Sequence, residues 1–138
     1  MIDDSLKGVE PLRFVVPGPP VPAARPRAGK GGRIYIPDEA TAYQTHVATI
    51  ARVAAHNARW VRPSKTQPLA IAIRIYRPRR TGDASNYLKI VEDGINDAET
   101  VWLDDRYVLS AWAQMFVSRT RPRVEVTIGF WDGVEEER

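Results

Sequence analysis

The sequence predicts an α/β fold: one small domain in which two main helices pack on a mixed β-sheet of about four to five strands. Apolar residues alternate with a period of two in several short segments and recur every three or four residues in two longer ones. The 11 prolines and 9 glycines mark turns between them. A chain of 138 residues buries one core but not two, so we expect a single domain over 1–138, with a core at about 12–131 and frayed termini at 1–10 and 133–138.

The amino-terminal part predicts a short strand followed by a basic loop. Residues 12–16 form the strand, and the Pro-Gly-Pro-Pro run that follows cannot continue a ladder. Residues 21–33 place cations among prolines and glycines, and 34–36 predict a strand that closes a hairpin with the first. The loop is not a P-loop, because Lys30 is followed by glycine and not by Ser or Thr, so we expect no nucleotide cofactor.

The next segment predicts a helix from Asp38, a suitable N-cap, to about Asn57. Four residues share the face that we expect to pack on the sheet: Tyr43, Val47, Ile50 and Ala54. His46 and His56 also lie on this helix, but no acidic or histidine ligand stands at metal-binding spacing from either. We therefore place neither histidine in a site.

Three further strands are predicted, at 69–76, 108–117 and 124–130. In the first, apolar and other residues alternate over eight positions before an Arg-Pro step ends the strand. The last two are joined by a turn at 118–122, and the inward residues of the final strand are Val124, Val126, Ile128 and Phe130.

The composition excludes several kinds of site and location. Without cysteine there is no disulfide, zinc ribbon, iron–sulfur cluster or thiol nucleophile, and two histidines cannot form a histidine-rich metal site. Any metal must be held mainly by oxygen. No apolar stretch is long enough to span a bilayer, and the acidic start lacks the features of a signal peptide. We expect an intracellular, cytoplasmic protein with no membrane partner.

The net charge of +3 hides an uneven distribution of charge along the chain. Residues 11–82 carry thirteen Lys and Arg against two acidic residues, a net charge of +11, whereas 83–138 carry a net charge of −6. A basic segment followed by clustered carboxylates is typical of a polyanion-binding surface with a cation site, but also of an ordinary solvated surface.

Residues 82–96 predict a second helix with one polar face. On a helical wheel of about 100° per residue, the polar residues fall within an arc of about 120°: Ser85, Asn86, Lys89, Glu92, Asp93 and Asn96. Ser85 is placed as the N-cap, and Asp83 lies just before the first turn, where the helix dipole favours a carboxylate. Many solvent-exposed helices share this pattern, so the polar face alone does not identify a site.

A pair of carboxylates, Asp104 and Asp105, stands directly before the next strand. Because adjacent side chains on a strand point to opposite sides, only one of the two is expected to face a given site. Asp-Asp pairs also occur as plain turn residues. Trp102 and Tyr107 flank the pair, and core packing is the expected role of Trp102.

In their order and spacing these features resemble the RusA family of Holliday-junction resolvases, which are homodimeric, magnesium-dependent endonucleases. The family carries Asp-x-Asp-Asn-x-x-Lys, an Asp four residues later and a Leu-Asp-Asp turn about ten residues further on. Here the corresponding residues are 83–89, Asp93 and 103–105. The Val-Pro-Gly-Pro-Pro run at 16–20 and the Arg-Pro-Arg at 25–27 are similar to the family's start and basic loop. The resemblance extends from about residue 12 to 130.

The resemblance implies a Mg²⁺ site, which Mn²⁺ can also fill, and a set of residues for each role. The catalytic residues would be Asp83, Lys89 and Asp105. The metal ligands would come from Asp83, Asp105, Glu92, Asp93 and Asp104, with Ser85 and Asn86 orienting them. The phosphate contacts would be Arg25, Arg27, Lys30, Arg33, Arg79 and Arg80.

Ser85 departs from the family pattern, because it occupies the position of the family's second aspartate. Serine is a poor ligand for a hard divalent cation. Glu92 lies seven residues further on the same helix face, about 20° away, and we expect its longer side chain to restore the ligand set, reaching toward Asp83 and Asp105.

The implied function is a homodimer that resolves four-way DNA junctions by paired symmetric nicks in recombination and repair, of cellular or phage origin. Three alternatives stay open at the level of sequence. The chain could be a junction-binding protein that lost catalysis through Ser85, or a nuclease for other branched DNA. It could also be an assembly protein whose polar helix face meets a partner.

Overall fold

The computed structural model describes residues 9–133 and has the expected mixed α/β fold. The expected fraying of 1–8 and 134–138 lies outside the described residues. The two helices are α1 (Asp38–Asn57) and α2 (Ala84–Ala98). The strands are β1 (Leu12–Pro17), β2 (Arg27–Ala28), β3 (Ile34–Tyr35), β4 (Leu69–Arg77), β5 (Val108–Val117) and β6 (Arg123–Phe130).

Four of the strands form one mixed sheet in the order β1-β6-β4-β5. β6 is antiparallel to both β1 and β4, whereas β4 and β5 are parallel. The turn at 118–122 joins two strands that do not pair with each other, because β4 lies between them. There the backbone N–H of Ser118 donates to the carbonyl of Arg77 at 2.7 Å.

The expected hairpin between the first strand and 34–36 is wrong. β3 pairs with β2, in a separate two-stranded ladder, and β1 pairs with β6. Alternate residues of β1 are buried, so this strand gains most by joining the large sheet. The two-residue strand β3 is exposed throughout and brings no apolar face to the core.

One face of the sheet and the two helices enclose the core. The strand register aligns Leu12, Ile128 and Ile71 across three strands, and all three side chains are buried. α1 packs on β1, as expected, and also on α2, which in turn contacts β4 and β5. Of the face predicted for α1, Tyr43 and Val47 are buried, while Ile50 and Ala54 are half-buried.

The two helices pack closely at Gly94 of α2. A Cβ atom placed on Gly94 would meet the side chain of Val47 at 2.7 Å and the carbonyl of Gln44 at 2.9 Å. Only the absence of a side chain lets α2 lie this close to α1. The contact fixes which face of α2 turns to the core and therefore which face stays available for chemistry.

Both helices begin one or more residues before the position that their sequences suggest. Pro37, not Asp38, is the N-cap of α1, and its carbonyl accepts the N–H groups of Ala40 and Thr41. Asp83, not Ser85, is the N-cap of α2, and its carboxylate accepts the backbone N–H of Asn86. Asp forms the stronger cap here because its carboxylate also meets the positive end of the helix dipole.

Candidate active site

The first turn of α2 surrounds the Asp83 carboxylate with donors. The Ser85 hydroxyl donates to it at 2.9 Å, the backbone N–H of Asn86 at 3.0 Å and the Asn86 side-chain amide at 3.2 Å. The Asn86 backbone bond, followed by the Ser85 bond, lowers the pKa of Asp83 below its ordinary value. Ser85 and Asn86 therefore hold an ionised Asp83 in one orientation, and whether this orients a metal ligand stays a prediction.

The middle of α2 carries the charged residues of the polar face. The ammonium of Lys89 lies 3.1 Å from a carboxylate oxygen of Asp93, one turn further along the helix. Glu92 is half-buried, and its pKa rises to about 7. Burial is the main cause, the negative charges of Asp105 and Asp93 add to it, and Lys89 partly opposes it.

Asp105 is positioned by two side chains that the sequence interpretation did not place in the site. The amide of Asn96 donates to an Asp105 carboxylate oxygen at 3.2 Å, and the indole N–H of Trp102 donates to the Asn96 oxygen at 2.5 Å. Trp102 is 1% exposed, so its expected core packing is confirmed. Two features of the sequence indicated these contacts. Asn96 belongs to the polar arc of α2, and the N–H of a buried indole needs a hydrogen-bond acceptor.

Asp104 has a different role from its neighbour. It caps the short 3₁₀ turn Asp105–Tyr107, where its carboxylate accepts the backbone N–H of Arg106 at 2.9 Å. That bond is the main cause of a pKa below the ordinary value, with smaller contributions from Asp105 and the Arg106 guanidinium. Asp104 thus serves local structure, while Asp105 faces α2.

The structure separates the expected site residues into two groups at opposite ends of α2. Asp83 follows the carboxyl end of β4, whereas Asp105 precedes the amino end of the parallel strand β5. Asn96, which donates to Asp105, lies thirteen positions after Asp83, and this is about 20 Å along a helix axis. Within residues 9–133, no group of three or more His, Asp or Glu side chains is arranged to hold a metal ion.

The pair Glu92 and Asp105 fits a hard divalent cation in its chemistry. Both are oxygen donors, and their mutual repulsion in a half-buried setting is a charge that a cation would neutralise. Asp83, ionised and oriented by Ser85 and Asn86, is a third donor of the same type. The full ligand set that the resemblance implies stays a prediction.

The predicted phosphate contacts lie on two exposed segments. Arg25, Arg27, Lys30 and Arg33 are all exposed on or beside the β2–β3 ladder, and Arg79 and Arg80 are exposed just after β4. The basic segment is joined to α2, because the backbone N–H of Ala23 donates to the carbonyl of Asn86 at 3.0 Å. A cavity of about 340 Å³ lies beside it, with Arg25, Arg27 and Glu39 among its lining residues.

Comparisons with known proteins identify a family that matches most of the chain. A family model described as "Endodeoxyribonuclease RusA" matches residues 17–129. The chain is also 28% identical over 144 residues to "Uncharacterized protein YqaN" of Bacillus subtilis (strain 168), an alignment that covers 85% of this chain and 94% of that protein. No helix in the described part of the chain is long and apolar enough to cross a membrane.

Proposed function

The chain belongs to the RusA family of endodeoxyribonucleases, and from this premise we propose that it resolves four-way DNA junctions by paired symmetric nicks that require Mg²⁺. The protein is an α/β nuclease fold in which helix α2 carries Lys89 and three acidic residues, Glu92, Asp93 and Asp97. Junction specificity, the metal and the homodimer are parts of the proposal.

The observation that carries the proposal is the arrangement around Asp105. A buried Trp102 fixes Asn96, Asn96 fixes Asp105, and Glu92 lies close enough to Asp105 for their charges to interact. A carboxylate held by a neighbouring side chain in this way is typical of metal sites, where such contacts orient the ligands. An ordinary solvated helix face has no need of a buried tryptophan to orient one carboxylate.

In this proposal Glu92 and Asp105, whose charges interact, hold the metal, with Asp93 and Asp104 nearby. Asp83 lies at the other end of α2, too far along the helix to bind the same ion within one chain. The chemistry that a bound Mg²⁺ supplies is a more acidic water and neutralisation of charge on the phosphate. Glu92 supplies a carboxylate in place of the family's second aspartate, whose position is occupied by Ser85. Ser85 contributes through Asp83 instead, by donating its hydroxyl to that carboxylate.

Lys89 is the proposed contact to the scissile phosphate. In hydrolysis a water oxygen bonds to phosphorus, one P–O bond of the DNA backbone breaks, and the leaving oxygen takes up a proton. Negative charge on the phosphoryl oxygens grows on the way, and an ammonium group stabilises it. Lys89 is 65% exposed and is paired with Asp93 on the helix surface, so it is free to turn to a bound phosphate.

The exposed cations supply affinity for branched DNA. Phosphate contacts orient a protein on DNA and depend on salt, without reading base identity. Because the hydrogen bond from Ala23 joins the basic segment to the first turn of α2, DNA bound by that segment passes beside Asp83. Cutting two opposed strands of a four-way junction needs two sites related by a two-fold axis, which is why the proposed protein is a homodimer.

A substrate comparison tests the specificity of the proposed nuclease. The protein is incubated in Mg²⁺ with an end-labelled four-way junction, a three-way junction, a flap and a linear duplex built from shared strands. The proposal expects the four-way junction to be nicked fastest. If the flap is nicked fastest, the protein is a nuclease for other branched DNA and not a junction resolvase. If the four-way junction is bound but not nicked, the protein is a junction-binding protein that has lost catalysis.

A further inference from the structure

The four-stranded sheet has one face that turns away from both helices. Side chains alternate between the two faces of a strand, and the core residues of β1, β4 and β6 point to the helix side. The alternate positions of the same strands and of β5 form the second face, which we call the open face. Its polar and aromatic residues are Arg13, Arg74, Tyr76, Ser110, Trp112, Gln114, Phe116, Arg123, Glu125 and Thr127.

The one acidic residue of the open face is neutralised within the face. Glu125 forms an ion pair with Arg123, whose guanidinium nitrogen lies 2.9 Å from the carboxylate. The same guanidinium lies 3.7 Å from the ring centre of Tyr76, and Tyr76 stacks on Phe116 with 4.7 Å between the ring centres. These four side chains satisfy one another. The charge that the open face presents to a ligand is therefore positive.

Trp112 and Arg74 stand side by side in the middle of the open face. The indole is 43% exposed, and the Arg74 guanidinium lies 5.9 Å from its ring centre. Arg74 lies opposite Glu125 in the strand register, but the ion pair of Glu125 is with Arg123. The two side chains thus combine a ring on which a nucleotide base can stack with a cation that can bind the adjoining phosphate.

One end of the sheet extends the positive charge of the open face. The connections 78–82 after β4 and 118–122 after β5 both lie at this end, because the two strands are parallel. They contain no acidic residue, and their four exposed arginines, which we call the arginine rim, are Arg79, Arg80, Arg119 and Arg121. The rim is tied to the open face, since the Arg123 guanidinium donates to the carbonyl of Arg121 at 3.0 Å.

The arginine rim also reaches the helix side of the sheet. The connection 78–82 leads directly to Asp83, the N-cap of α2. The backbone N–H of Ser118 donates to the carbonyl of Arg77 at 2.7 Å, which holds the second connection beside the first. A polyanion that passes Asp83 can therefore follow a continuous line of cations around the end of the sheet and onto the open face.

The chemistry of the open face favours an unpaired DNA strand over other polyanions. In a duplex the faces of the bases are covered by their neighbours, whereas an unpaired base offers its face to an aromatic ring. An acidic peptide could pair with Arg74 but would have no base to stack on Trp112. Because the ring and the cation lie together, the ligand that uses both is a single strand.

We propose that the open face and the arginine rim form a second DNA site, which binds an unpaired strand. Its bases stack on Trp112, and its phosphates contact Arg74 and the arginine rim. The site is distinct from the candidate active site, because it lies on the other face of the sheet from α2. It does not rest on the proposed nicking activity, since binding here needs neither a metal nor Lys89.

Binding of a fluorescein-labelled oligothymidine of about 20 nucleotides, measured by fluorescence anisotropy in EDTA, tests the stacking contact. Trp112→Leu removes the ring from an exposed position and should weaken oligothymidine binding about tenfold. It should leave the affinity for a duplex of the same length unchanged. Trp112→Phe is the matched variant, because it keeps an aromatic ring, and it should retain most of the oligothymidine affinity.

The salt dependence of the same binding tests the phosphate contacts. Arg74→Gln should lower the slope of log affinity against log salt by about 0.7, the value for one contact to a single strand. The double variant Arg119→Gln with Arg121→Gln should lower the slope about twice as much. Arg52→Gln is the control, because it removes an exposed arginine of α1 on the helix side and should leave the slope unchanged.

Each outcome decides the second site. A loss in Trp112→Leu that Trp112→Phe restores, together with a reduced slope in Arg74→Gln, supports it. Unchanged oligothymidine affinity in Trp112→Leu, an equal loss of duplex affinity, or an unchanged slope in Arg74→Gln overturns it. Competition by polyglutamate as strong as by unlabelled oligothymidine would identify a general surface for acidic polymers and also overturns it. Because no nicking is measured, a chain that nicks no junction loses the proposed function and keeps this site.

Discussion

The indole N–H of Trp102 donates to the side-chain oxygen of Asn96 at 2.5 Å, and this bond determines how Asn96 meets Asp105. An indole nitrogen only donates, so the Asn96 oxygen must face Trp102 and its amide must face Asp105, where it donates at 3.2 Å. A residue buried in the core thus orients a carboxylate at the candidate site.

Replacing Trp102 by Phe should weaken nicking without unfolding the protein. Phe keeps most of the buried ring but removes the donor, so Asn96 loses the partner that fixes its orientation. We expect junction nicking to fall roughly tenfold, as is typical when a group that orients a metal ligand is removed, with junction affinity unchanged. Single-turnover nicking and fluorescence anisotropy measure the two quantities. Trp131→Phe is the matched control, and equal losses in both variants would contradict the orienting role.

Replacing Lys89 by Ala should abolish nicking and spare binding. The ammonium is expected to act on charge that develops during hydrolysis, and loss of one such group costs about 100-fold or more in rate. Lys65→Ala removes another exposed lysine, distant in sequence from the site, and should nick normally. If Lys89→Ala loses binding and nicking in the same proportion, Lys89 contributes affinity and not catalysis.

The stability of the metal-free protein should fall as pH rises from about 4.5 to about 7. The ordinary pKa of Glu92 is 4.5, and burial with the nearby charges of Asp105 and Asp93 raises it to about 7 in the fold. Between these values the unfolded chain releases the proton while the folded protein retains it, so ionisation favours unfolding. The stability that Glu92 provides is complete below pH 4.5 and is lost as pH passes 7.

Urea denaturation in EDTA at several pH values measures this dependence. Glu92→Gln cannot ionise and should flatten the fall between pH 5 and 8, while leaving the effects of Asp83 and Asp104, whose pKa values are lowered, at more acidic pH. An unchanged slope in Glu92→Gln would mean that Glu92 is not the group responsible.

Tyr43 carries a buried hydroxyl with no hydrogen-bond partner among the described residues. Burial raises its pKa above the ordinary value of 10.0, so the hydroxyl stays neutral. Tyr43→Phe removes an unpaired polar group and should raise the free energy of unfolding by about 1 kcal/mol. Tyr87→Phe is the contrasting variant, because the Tyr87 hydroxyl donates to the carbonyl of Thr81 at 3.3 Å. It should lower the free energy of unfolding, and a loss of stability in both variants would contradict this account.

Local patterns in the sequence were sufficient to predict the main elements. The alternation in 69–76 and the polar arc of 82–96 each depend on neighbouring residues, and both elements form where expected. The pairing of β3 with β2 was not predictable in this way, because pairing is decided by which strand gains a buried face. The N-cap of α2 is Asp83 and not the expected Ser85, and the reason is local. Both residue types are good caps, and only the backbone geometry selects between them.

The residues proposed for the site were named from the sequence, and their roles stay a prediction, whereas their arrangement could not be predicted. Spacing along the chain shows that Glu92 shares a face with Ser85, and in the fold the negative charge of Asp105 is one cause of the raised pKa of Glu92. Spacing does not show that β4 and β5 are parallel. Because they are parallel, Asp83 and Asp105 lie at opposite ends of α2. The contact of Asn96 with Trp102 joins a helix to the loop that follows it, so it too depends on tertiary structure.

The central claim is that this chain cuts opposed strands of a four-way junction with the help of Mg²⁺. The most direct test maps nicks on a junction whose branch point cannot migrate, with each of the four strands end-labelled in turn, in Mg²⁺ and in EDTA. We predict nicks at symmetric positions on two opposed strands in Mg²⁺ and none in EDTA. Nicks that persist in EDTA, or that fall on one strand or on all four without symmetry, would contradict the claim.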